Sequence, residues 1–103
     1  MSINDRLLQI VEEEIARSIE KHGRLNSRHE AYAVMLEELE EAGRDLYTLE
    51  DAMDRFWDHT KHNWHEYVDK TPACICNSAL NAAAELIQVA AMAEKFKRQE
   101  EGK

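Results

Sequence analysis

The chain has 103 residues, enough for one compact domain, with 13 Lys and Arg against 21 Asp and Glu and a formal net charge of −8. Such an acidic surface repels a phosphodiester chain, which argues against a nucleic acid polymer as partner but not against a phosphate ligand presented with a divalent cation. One proline and three glycines are too few breakers for an all-β chain, so long helices in a single all-α domain, residues 1–103, are the expectation.

From Ile3 to about Lys21, apolar residues recur at steps of three and four through Ile3, Leu7, Ile10, Val11, Ile15 and Ile19, which predicts an amphipathic first helix. Gly23 supplies its stop. Asn26 or Ser27 caps the next start, with Glu30 three residues past Ser27 completing a capping box. The second helix then carries an inward stripe of Ala31, Met35, Leu39 and Ala42, flanked by Tyr32 and Leu36, as far as Gly43, which is a stop or a kink. Beyond it Leu46, Leu49, Met53, Phe56, Trp57, Trp64 and Val68 keep helical spacing over about 46 to 67. Thr71 followed by Pro72 marks the start of a last helix, capped by Thr71, running to about Lys97 with residues 98–103 as a frayed tail.

No stretch approaches the roughly 20 apolar residues of a membrane span, and the charged N-terminus lacks the apolar core of a secretory signal. A cytoplasmic chain without a membrane partner is therefore expected. Cys74 and Cys76 are one residue apart, too close for an unstrained mutual disulfide, so both are expected as thiols.

Two segments carry candidate chemistry. In MLEELEEA, residues 35–42, Glu37, Glu38 and Glu41 stand three and four apart and converge on one side of a helix. Glu38 falls between Met35 and Ala42 in the stripe that faces inward, where an isolated carboxylate would cost several kcal/mol, so it needs a partner. The bland alternative is a solvated acidic face paired with Arg44 or Arg28. In AAAELIQVAAMA, residues 82–93, Glu85 and Gln88 are the only polar residues; with Ser78 and Asn81 they form one polar line on an otherwise apolar helix. If that line faces the glutamates, the oxygen donors suit Mg²⁺ or Mn²⁺ better than zinc; the alternative is a polar or water-bridged core contact.

The segments KHGRLNSRHEAYAVMLEELEE, from Lys21 to Glu41, and AAELIQVAAMAEKF, from Ala83 to Phe96, together about a third of the chain, resemble the MazG-like proteins of the all-α nucleoside triphosphate pyrophosphatase group. The resemblance implies a four-helix-type bundle assembled as a homodimer or homotetramer. It also implies Mg²⁺-dependent cleavage of a nucleotide between its α and β phosphates. The first acidic motif of that family falls on Glu37, Glu38 and Glu41, and its second, ExxD, on Glu85 and Gln88. The resemblance thus implies Glu37, Glu38, Glu41 and Glu85 as catalytic metal ligands. Gln88 stands where the motif has Asp, and an amide coordinates through oxygen without adding negative charge. The segment from Gly43 to Pro72 is also longer than in compact members. Asn81 and Gln88 on the polar line, and Lys21, His22, Arg24 and Arg28 near the first motif, are candidate substrate contacts, the basic ones set against plain surface residues.

His59, His62 and His65, spaced by three before Cys74 and Cys76, are a weaker candidate for zinc, because the outer two diverge around a helix and Cys-x-Cys lacks the usual gap. Trp57 and Trp64, seven apart, fit core or interface packing better than stacking on a base. Two functions follow: a Mg²⁺-dependent nucleotide pyrophosphohydrolase, or a weak or inactive helical module kept for oligomerisation or regulatory binding. The identity of the nucleotide is not written in these segments.

Overall fold

The computed structural model describes residues 1–63 and 69–102, and these form three helices: α1, Ile3–His22; α2, Arg28–Lys61; and α3, Thr71–Glu101. The all-α expectation is met, with no strand among the described residues. Trp64, His65 and Val68 lie outside them, and with them part of the weaker zinc candidate and of the aromatic stripe.

Local chemistry sets each helix end. Ser2 caps α1 reciprocally: its Oγ accepts the Asp5 N–H at 3.1 Å, and the Asp5 carboxylate accepts the Ser2 N–H at 3.3 Å. Gly23 ends α1 at φ +66°, a conformation that costs glycine little, and gives its N–H to the Ile19 carbonyl at 2.8 Å. Ser27 caps α2 by accepting the Glu30 N–H at 3.1 Å. The predicted box is incomplete there, because the Glu30 carboxylate turns to the Asn26 side chain at 2.8 Å instead of the Ser27 backbone.

Gly43 neither stops nor divides α2, which is one helix of 34 residues containing the stretch from Leu46 to Trp57. The α3 cap differs from expectation as well. Thr71 is the first helical residue, and Asp69 accepts its N–H at 2.9 Å and its hydroxyl at 2.8 Å, while contacting His59 Nδ1 at 2.9 Å. The Thr71 N–H is the main cause that holds the Asp69 carboxyl below the usual range. The tail is no frayed end up to Glu101: Arg98 binds Glu12 and Glu94, and Gln99 clasps the Leu25 backbone through N–H to Oε1 at 2.8 Å and Nε2 to carbonyl at 3.0 Å.

α3 packs along α2 and also against α1. The seam is made largely of small residues, with Ala31, Ala42 and Ala52 of α2 and Ser78, Ala82 and Ala91 of α3 all buried. Ile15 of α1 joins Ala91 and Met92, with Val11, Val34 and Met35 packed around them. Much of the predicted apolar surface remains uncovered: Ile3, Leu7, Ile10 and Ile19 on α1, Tyr32 and Leu39 on α2, and Leu80 and Leu86 on α3 are exposed. By length and composition α3 does meet the requirement for a membrane span, which corrects the sequence expectation. Its Glu85 and Gln88 engage carboxylates of α2 and α1.

The chain measures 61 × 32 × 19 Å with a radius of gyration of 18.0 Å, against about 13 Å for a compact chain of this length.

Candidate metal and phosphate cleft

Three of the four predicted carboxylates meet. Glu38 and Glu41, one turn apart on α2, and Glu85 on the facing side of α3 bring one oxygen each within 4.8 Å of one another, all half-buried. The α-helical repeat explains the pairing on α2, and the close Ala seam explains why α3 reaches it. Glu37 is exposed, about 100° round the helix from Glu38, and stands outside the trio.

The trio is electrostatically frustrated. A hydrogen bond shared with Glu85, then its negative charge, pushes the Glu41 carboxyl above the ordinary value. Glu85 is raised too, first by its hydrogen bond with Glu38 and next by desolvation, and Asp45 adds to both. No basic side chain forms an ion pair with the trio among the described residues; only the field of Arg44 reaches Glu41. Protons relieve such a cluster, and a divalent cation would relieve it further. The donor set, three carboxylates with no sulfur or imidazole, fits Mg²⁺ or Mn²⁺.

Beside the trio a cleft of about 350 Å³ runs between α1, α2 and α3. Glu38 and Gln88 form part of one side, and Glu14, Arg17, Ser18, Lys21 and His22 come from α1. Gln88 gives an amide N–H to Glu14 Oε2 at 2.6 Å, and Arg17 Nη1 holds Glu14 Oε1 at 2.8 Å. A carboxylate from another helix thus meets the amide at position 88. Lys21 lines this cleft. Arg28 does not, since its guanidinium lies over the Phe96 ring at 5.6 Å, and Asn81 is exposed and outside the cleft lining.

Sequence reasoning missed Asp45, Glu14 and Arg17. Asp45 was within reach, because Glu38, Glu41 and Asp45 follow steps of three and four; Glu14 and Arg17 sit on a helix whose rotation only the packing reveals. Among the described residues the histidines join no such cluster: His59 meets Asp69 and His62 Nδ1 meets the Asp58 carbonyl at 2.9 Å, while His65 lies outside them. Both cysteines are free thiols, Cys74 accepting from Arg55 Nη2 at 3.7 Å. In comparisons with known proteins the chain matches no family model, no curated protein and no solved structure.

Proposed function

We propose that this chain is a Mg²⁺-dependent nucleoside triphosphate pyrophosphohydrolase of the MazG-like kind, acting in the cytoplasm on a (deoxy)nucleotide. The observation that carries the reading is the juxtaposition of Glu38, Glu41 and Glu85 with a cleft whose α1 side offers Arg17, Lys21 and His22. Carboxylates that gather a cation and cations that gather phosphate oxygens are the two halves of phosphoryl-transfer chemistry.

In this reading Glu38, Glu41 and Glu85 would hold Mg²⁺, with Asp45 adding negative field. The ion supplies charge neutralisation and an acidified water when bound. Lys21 and Arg17 bind and orient the phosphate chain. A carboxylate of the cleft accepts the proton of the attacking water as its oxygen bonds to the α-phosphorus. The bond from that phosphorus to the bridging oxygen breaks, releasing a monophosphate and pyrophosphate. Glu37, turned outward, would stand apart from the cation.

The bundle reading belongs here too. Three helices with so much uncovered apolar surface suit a homodimer or homotetramer in which partner helices complete a four-helix-type bundle. A second function, an inactive binding module, is favoured by one observation: Gln88 spends its N–H on Glu14 and adds no charge. Pyrophosphate release from a panel of canonical and modified nucleoside triphosphates, with Mg²⁺ or Mn²⁺, separates the two. The enzyme reading expects cleavage that Glu38→Gln and Glu85→Gln each reduce by at least about 100-fold. Absence of cleavage across the panel, together with absence of Mn²⁺ binding, leaves the module.

A further inference from the structure

Among the described residues Lys95 is the one charged side chain that is buried, with 3% of its surface exposed. Its ammonium has three N–H donors and one protein acceptor, Ser18 Oγ at 2.7 Å. Ser18 is neutral and passes its own hydrogen to Met92 Sδ at 3.7 Å. No carboxylate pairs with Lys95. Glu30 reaches it only through its field, and Glu30 Oε2 is held by Asn26 Nδ2 at 2.8 Å. A buried ammonium without a counter-charge is costly, and desolvation pushes the Lys95 pKa down accordingly.

The surroundings of Lys95 suit an anion. It lines a hollow of about 260 Å³ together with His22, Arg24 and Ser18, with Glu30 as the one acidic side chain in the lining. Since a water occupies about 30 Å³ of liquid, that space admits a phosphate group or a diphosphate. The loop that presents Arg24 is preset: Gly23 turns at φ +66°, and the next residue but one, Leu25, is buried and clasped by Gln99 through both of its backbone groups. The hollow also shares Ser18, His22, Val34 and Met92 with the cleft that contains Glu38. The two hollows therefore adjoin, with Glu14 and Glu38 beside Arg17 and Lys21 in the first, and Lys95 and Arg24 with Glu30 in the second.

We propose that Lys95, Arg24 and His22 form a binding site for a phosphate group, namely the far end of the substrate's phosphate chain. For the identity of the anion this rests on the nucleotide reading; the existence of the site does not. The arrangement leaves Lys95 short of a counter-charge until the anion arrives, so that ligand binding and the stability of the α1–α3 contact are linked.

The test is a titration of the full-length ¹⁵N-labelled chain with inorganic pyrophosphate in metal-free buffer. Saturable shifts at the amides of Ser18, Arg24 and Lys95 are expected, with a rise in melting temperature. Lys95→Met weakens binding by about tenfold or more, and Arg24→Gln, at an exposed position, by about three- to tenfold. Wild-type spectra without saturable shifts at these residues, or unchanged affinity in Arg24→Gln and in a folded Lys95→Met, overturn the site. A nucleoside triphosphate analogue with an uncleavable α–β bridge should shift the same amides. If pyrophosphate shifts them and the analogue does not, the assignment to the substrate's phosphate chain is overturned while a free-pyrophosphate site stands. Glu85→Gln should leave the pyrophosphate titration unchanged. A retained titration in a chain that cleaves no nucleotide sinks the enzyme reading and supports the site.

Discussion

Glu85 is half-buried among the carboxylates of Glu38 and Glu41. Its carboxyl is raised, first through Glu38, and that of Glu41 is raised through Glu85, so the folded chain binds protons there more tightly than the unfolded chain does. The sign follows: this contribution favours the fold below the ordinary carboxylate value near 4.5, and is lost as pH rises through the raised folded values. In metal-free buffer at neutral pH, Glu85→Gln should therefore melt a few degrees above the wild type, while losing the stabilisation that Mn²⁺ gives to the wild type. Calorimetry with and without Mn²⁺ checks both; a Glu85→Gln chain that melts lower in the metal-free state would show that the trio is not frustrated. Gln88 makes a second residue-scale case. Replaced by Asp, it would set a carboxylate against Glu14, where the amide now donates at 2.6 Å. Gln88→Asp alone should cost roughly 1–3 kcal/mol, and adding Glu14→Gln should recover much of it, giving a coupling visible in a double-mutant denaturation cycle. Additive effects would mean that the bond is incidental.

At the scale of elements, the sequence was most legible where local chemistry decides. The stop at Gly23, the cap at Ser27 and the last helix beginning at Thr71 depend on neighbours in the chain, and all three are present. The trio was largely legible for the same reason: Glu38 and Glu41 share a face by helical repeat, and Glu85 is the only acid in a long apolar run. What escaped depends on contacts distant in sequence. The tail was read as frayed because nothing local says that Arg98 meets Glu12 or that Gln99 clasps Leu25. Gly43 was ambiguous because glycine weakens a helix without being able to end it alone when both flanks are strongly helical. An added Cβ there would meet nothing within 4 Å, and its φ is not in the positive region. Gly43→Ala should accordingly stabilise the chain by about 0.5–1 kcal/mol, read as a higher midpoint in urea. A lower midpoint would mean that another helix approaches Gly43 in the assembled protein. The α3 cap carries a pH sign of its own: Asp69 is lowered by Thr71, so its contribution is present above the unfolded carboxylate range and is lost as pH falls through the lowered folded value.

The whole molecule is short of cover. Its accessible surface is 7734 Å², against about 6,000 Å² for a compact monomer of 12.0 kDa, an excess of about 1,700 Å². A chain that hid this excess against a partner would form an interface in the range of obligate oligomers, which bury about 2,000–5,000 Å² in total. Part of the uncovered surface is apolar. Leu7, Leu8, Val11, Leu86 and Ile87 line an open groove of about 620 Å³ between α1 and α3, and Leu8 and Leu86 are 64% and 43% exposed. Net charge of −8 opposes association at long range, so apolar burial has to overcome it, and salt should strengthen the assembly. Sedimentation should give the wild type a mass at least twice 12.0 kDa. Leu8→Glu combined with Leu86→Glu should bring the mass down toward one chain, since both positions are outside the chain's own core and the substitutions put charge into an apolar groove of an already acidic chain. A wild type that sediments as a single chain would rule out the partner copy. If the variant dissociates and also loses nucleotide cleavage while its circular dichroism still reports folded helices, the cleft depends on the second copy; cleavage that survives dissociation would place the whole active arrangement within one chain.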